Sequence, residues 1–334
     1  MTTAPGHRHD ADEQSERRTL ARLLPPPPHA GLSAECRHTH RAFLLREAER
    51  PAPSRARRPL LVLAAATAVA VLVLGVNTLG TGTPPALAPV PPASAASVRL
   101  LERAALAAHA DPGPTPRGTQ YSYVRTVGRS TSLSEDGGTM RRDTVSENTE
   151  QWTAVDGTRP GLQRTDRGEH ELPAPGAGTL NSPTHRLLAA LPTDPDALLA
   201  RIRADAELNH GAGSGSTTGP DQEAFTAIGD LLRSSVAPPE VSAALYRAAA
   251  RIPGVVTVDD AVDAAGRHGT AVARVHGGER SEWIFDPGTL RLLGERTVLL
   301  QDGPWGHAGD EVSSIAMVTR GIVDAPGQVP TAGT

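Results

Sequence analysis

His29, Cys36, His38 and His40 are the residues whose types and spacing come nearest to a metal site. Zinc takes several soft or imidazole ligands in a tetrahedron. This chain has one cysteine, and Cys36, His38 and His40 stand two apart, so they cannot all face one side of a helix. They read as solvated histidines around a lone thiol, with no metal. The glycine-rich GAGSGSTTG of Gly211 to Gly219 would cradle a phosphate only with a lysine to neutralise it, and all 33 basic residues are arginine. It reads as a flexible loop. His185, His210, His268 and His276 are scattered, without a nucleophile set beside a base, and no Gly-x-Ser-x-Gly elbow precedes a helix. Asp259 and Asp260 would point to opposite faces of a strand and suit a solvated turn instead. The chain is therefore expected to bind rather than catalyse, with no cofactor.

Two groups of residues suit binding. Tyr121, Tyr123, Trp152, Trp283 and Phe285 fall on expected strands and either line a pocket for a lipid or peptide or fill the core. With aromatics at 3% of the chain, a large aromatic cage is not expected. Phe43, Leu44 and Ala48 make an apolar stripe on a short helix that Ser33 can cap. That helix is too poor in apolar residues to stand alone and suits folding on a partner.

What positions these groups is the stretch between them. From Leu60 to Val76 there is no charge and no proline, and only Thr67 interrupts the apolar surface. At about 1.5 Å per helical residue the run approaches the roughly 30 Å of a bilayer core. Arg55, Arg57 and Arg58 abut its N-terminal end, whereas the first charge beyond it is Arg99, so the positive-inside rule places Met1 in the cytoplasm. Some 58 residues precede the run, far more than a cleaved signal's leading region, so an uncleaved anchor is expected. Small-residue cleavage patterns nevertheless stand at Ala86-Leu87-Ala88 and Ala93-Ser94-Ala95.

Charge divides across the run. Residues 1–58 carry 11 arginines against 7 carboxylates, and the remainder 22 against 30, within a net −4. A basic segment beside an anionic inner leaflet sets topology and touches lipid. No basic patch interleaved with aromatics supports nucleic-acid binding. Cys36 falls on the cytoplasmic side, so the outer domain has no disulfide and must hold itself by packing.

Four regions are expected: 1–58, cytoplasmic and largely disordered with a short helix near 33–50; 59–79, the transmembrane helix; 80–96, a stiff Pro/Ala linker; and 97–330, an extracytoplasmic domain. In that domain Ser97 to Ala110 reads as a helix, followed by strands from Tyr121, over Thr139 to Ser146, over Thr149 to Val155 and near Leu162 to Arg167. Ser182-Pro183 and Asp194-Pro195 each open a helix, through Leu191 and about Leu208, and two more cover Asp221 to Ser234 and Pro239 to Arg251. Strands return at Val255 to Val258, Thr270 to His276, Ser281 to Asp286, Leu290 to Leu300 and Val312 to Val323. Strands, helices and strands again predict an α+β domain, a curved antiparallel sheet with helices on one face.

SEWIFDPGTLRLLGERTVLL (Ser281 to Leu300), GIVDAPGQVP (Gly321 to Pro330), EQWTAVDGTRPG (Glu150 to Gly161) and LSAECRHTHRAFLLREAER before the span carry a resemblance. The chain resembles an uncharacterised actinobacterial family of single-pass membrane proteins, commonly encoded beside extracytoplasmic-function sigma factors. The resemblance implies an outer domain similar to the half-open barrel of lipoprotein carriers, and brings no catalytic residues. It implies envelope signalling, in which the outer domain senses a lipid or peptide and residues 20–50 influence a sigma factor or other cytoplasmic regulator. An envelope lipid or lipoprotein binding module without a signalling role is the alternative.

Overall fold

A computed structural model describes residues 90–330, apart from 112, 114, 137–138 and 211–217. The described residues all belong to one compact unit, Thr83–Thr334. The expected span at 59–79, the stripe of Phe43, Leu44 and Ala48, and the His29, Cys36, His38 and His40 group lie outside the described residues. Among the described residues no helix is long and apolar enough to cross a membrane.

Alternating segments pair into one nine-stranded antiparallel sheet: β1 (Tyr121–Asp136), β2 (Thr139–Ala154), β3 (Gly161–Thr165), β4 (Gly168–Leu172), β5 (Val255–Val262), β6 (His268–His276), β7 (Glu279–Phe285), β8 (Leu292–Leu299) and β9 (Glu311–Val323). Their spatial order is β4-β3-β2-β1-β9-β8-β7-β6-β5. The last strand thus inserts beside the first and joins an N-terminal meander to a C-terminal one. The sheet is open, with β4 and β5 at its edges.

Among the described residues five helices accompany it: α1 (Ala95–Ala110), α2 (His185–Ala189), α3 (Pro195–His210), α4 (Pro220–Ser234) and α5 (Pro239–Ala249). α1, α4 and α5 are amphipathic at helical spacing. α4 buries Phe225, Ile228, Leu231 and Leu232, and α5 buries Val241, Ala244, Leu245 and Ala248. Ser94 caps α1 by accepting a hydrogen bond from Ser97 N at 3.1 Å, and Asp194 caps α3 through Ala197 N at 2.8 Å. Together with Val255, Val272, Trp283, Phe285, Leu292 and Met317 of the sheet, the helices build the main core. Their chief sheet contacts are with β5, β6 and β8. The helix-bearing face is therefore covered on one half of the sheet.

Several elements differ from expectation. The two strands expected over Thr139 to Ser146 and Thr149 to Val155 are one, because β2 pairs with β1 residue for residue from Thr139 to Ala154. β4 is an additional strand: Thr165 and Gly168 close a tight hairpin, Gly168 having φ +133. The Ser182-Pro183 helix is a single short turn, capped at Thr184 rather than Ser182. Asp259 and Asp260 lie within β5 at a register shift, both exposed, with Asp260 at φ 54. Pro91 and Ser94, assigned by composition to the linker, bond to the domain: Gly254 N donates to Pro91 O and Ser94 N to Val255 O.

Candidate functional site

Because side chains alternate along a strand, the even-numbered residues of β1 and their odd-numbered partners on β2 share the helix-bearing face. On the β1–β3 half that face is left as a groove of about 310 Å3. Its floor is Val124, Thr126, Gly128 and Ser130 of β1, with Val145, Glu147, Thr149 and Gln151 of β2. Gln163, Ser313 and Ile315 extend it, and Arg233 and Ser234 at the end of α4 form its wall. Three aliphatic side chains stand among hydroxyls, amides and charges, so the lining is mixed.

The wall is electrostatically unusual. The Arg233 guanidinium pairs with Asp230 one turn back, and its Nε lies 3.5 Å from Glu295 Oε2 on β8. Arg233 Nε and Glu295 Oε1 are buried without a hydrogen-bond partner among the described residues. Leaving such atoms unpaired costs about 1–3 kcal/mol each. Burial pushes the Glu295 carboxyl up to about 7, with Arg233 pulling it down and Asp230 pushing it further up. Two carboxylates therefore share one guanidinium, and the cluster gains a negative charge as Glu295 ionises near neutrality.

Gly229 makes this arrangement sterically feasible. A Cβ there would stand 2.5 Å from Trp283 Nε1 and 2.9 Å from Glu295 Oε1. Phe225, one turn earlier, stacks on Trp283 with ring centroids 4.0 Å apart and planes 7° apart.

The five expected aromatic pocket residues do not form one pocket. Trp283 and Phe285 lie on the helix-bearing face within the main core, where Tyr246 meets Phe285 edge-on. Tyr121, Tyr123 and Trp152 lie on the opposite, outer face, in a cluster with Ala154 and Val323. There Tyr123 Oη donates to Glu150 Oε1 at 2.6 Å, Arg164 sits 5.0 Å over the Trp152 ring, and Trp152 Nε1 donates to Gln328 O of the C-terminal segment. Burial opposes ionisation of Glu150, yet the bonds from Tyr123 and Arg164 outweigh it and hold that carboxyl below its ordinary value. None of the five lines the groove. Phe285 instead borders a separate hollow of about 410 Å3 beside α1, with Arg99, Arg103 and Asp259.

The groove residues were missed because polar side chains on a strand read as a solvated face. The signal was present in β2, where Glu147, Thr149 and Gln151 keep in phase with Thr126 and Gly128 across the hairpin. Of the histidines singled out in the sequence, His185 Nδ1 lies 2.8 Å from Val236 O, and His268 Nδ1 lies 2.6 Å from Asp260 Oδ1. Among the described residues no group of His, Cys, Asp and Glu could hold a metal ion.

No family model matches the chain, and no curated protein matches it. Among solved structures, one titled "Crystal structure of MucB" is similar at 15% sequence identity with a TM-score of 0.22, covering 72% of this chain and 62% of that chain. The chain thus spans less than two thirds of that neighbour's length.

Proposed function

We propose that this is a single-pass membrane protein whose described domain is extracytoplasmic and binds a ligand in the groove of its open sheet, signalling to a cytoplasmic regulator. The observation that carries this is the half of the helix-bearing face left as a groove of mixed lining, walled by the Arg233–Glu295 pair. The charge-free run from Leu60 to Val76 and the arginines before it support the topology. The resemblance to proteins encoded beside extracytoplasmic-function sigma factors supports a sigma factor as the regulator, gripped by residues 20–50 through Phe43, Leu44 and Ala48.

Hydroxyl, amide and carboxylate groups suit an extended peptide better than an acyl chain, which would leave them unpaired. That favours sensing of protein over carriage of lipid. The role is binding rather than catalysis. Thr149→Trp would fill the groove from its floor. In cells carrying the full chain the wild type is expected to copurify with a peptide, and Thr149→Trp to lose that peptide and to abolish sigma-dependent transcription in response to envelope stress. Unchanged transcription and an unchanged copurifying species would contradict the proposal.

A further inference from the structure

The β1–β2 hairpin reaches beyond the strands on either side of it. β9 pairs with β1 only as far as Ser130, and β3 pairs with β2 only from Thr149. Asn148 N donates to Asp166 Oδ2, which ends the covered part of β2. From Thr139 to Glu147 the outer edge of β2 has no strand beside it among the described residues. A two-residue connection makes Asp136 and Thr139 a hydrogen-bonded pair, so odd residues of β2 bond to β1 while Met140, Arg142, Thr144 and Ser146 turn their N–H and C=O groups outward. A bare edge of this length is a template for another strand.

The charges along it choose among partners. Arg141 and Arg142 stand at one end, Asp143 in the middle and Glu147 at the other end, all exposed. A second copy can approach antiparallel about a two-fold axis, and only registers that put outward residues opposite outward residues form hydrogen bonds. Centring the axis on Asp143 sets two carboxylates face to face, and centring it on Arg142 sets two guanidiniums face to face while opposing Arg141 to Asp143 twice, so neither is free of like-charge repulsion. Centring it on Val145 opposes Asp143 to Glu147. Centring it on Thr144 instead sets Arg141 opposite Glu147 twice, Arg142 opposite Ser146 twice, and Asp143 opposite Val145. Opposite charges across a strand pair stabilise it and like charges directly opposite do the reverse.

We infer that this edge is an isologous dimer interface, on which β2 of a second copy pairs antiparallel with β2 about Thr144. The exposed Arg141–Asp143 contact of 3.5 Å within one chain is exchanged for Arg141 of each copy against Glu147 of the other. Val145 and Glu147 also line the groove, with Arg129 and Arg233, so the partner's Asp143 and the partner's Arg141 come to its rim and lengthen it with a further cation. This inference rests on the sheet edge and stands whether or not the groove binds a signal.

The test uses the full chain in detergent micelles with Cys36→Ser as background. Opposed hydrogen-bonded residues have Cα atoms about 5.5 Å apart, within disulfide reach. Thr144→Cys is therefore expected to cross-link two copies, Ser146→Cys alone to fail, and Arg142→Cys with Ser146→Cys to succeed. Arg141→Glu and Glu147→Arg are each expected to weaken dimerisation about tenfold or more by light scattering, and the two together to restore it. Equal cross-linking at 144 and 146, none at either, or a dimer indifferent to both charge reversals would overturn the inference. Indifference would place the contact elsewhere, including the membrane run.

Discussion

At Glu295 a single proton decides how much charge lies under α4. Folding moves this carboxyl from its ordinary value of 4.5 up to about 7 through burial. A raised acid favours the fold while protonated, so its contribution is complete below about pH 4.5 and is lost as the pH rises through 7. Its side chain keeps 20% exposure, so the loss is discounted for solvent to on the order of 1–3 kcal/mol. Urea unfolding from pH 4.5 to 8 is expected to show this decline in the wild type relative to Glu295→Gln; parallel curves for the two would refute it. Tyr123 and Glu150 make the opposite case on the outer face. There the ionised carboxyl is the stabilised form, and its contribution is lost as the pH falls through its lowered value. Tyr123→Phe removes a 2.6 Å bond to that carboxylate and is expected to cost about 1.5–3 kcal/mol at pH 7. It should also move acid unfolding to higher pH; an unchanged acid midpoint would count against the pairing.

Helix α4 does the most positioning at the scale of elements. It stacks Phe225 on Trp283, brings Gly229 against the sheet and leaves Arg233 at the groove. Glycine within a helix ordinarily weakens it by about 0.5–1 kcal/mol relative to alanine. Gly229→Ala should nevertheless destabilise, by about 1–3 kcal/mol, because the added methyl overlaps the Trp283 indole and the buried Glu295 oxygen. Denaturant unfolding with tryptophan fluorescence checks the sign, and a stabilised variant would contradict the close approach. The stripes of α1, α4 and α5 were legible because their apolar period is strong. The unity of β2 was not, since Glu147 and Asn148 look like a break until β1 is laid beside them. The turn in FDPGTLRLLGE was legible as a turn, and it owes its form to Asp286 Oδ1. That atom accepts hydrogen bonds from Gly288 N, Thr289 N and Thr289 Oγ1, while Leu290 takes φ 60.

For the whole molecule, the order of strands, helices and strands led to the right class. An antiparallel open sheet with helices packed on one face is what the described residues form. Sequence could not show that β9 inserts beside β1, since such a long-range pairing leaves no local period. That insertion sends Tyr121, Tyr123 and Trp152 to the outer face and leaves the groove to threonine, glutamine, arginine and a few aliphatic side chains. The proposed placement of this domain outside the cell rests on the apolar run and its arginine flank. The most direct measurement is a phosphatase that is active only outside the cytoplasm, fused after Thr334 of the full chain. The account predicts an active enzyme in the membrane fraction. An inactive fusion, with a cytosolic reporter at the same position active, would contradict it.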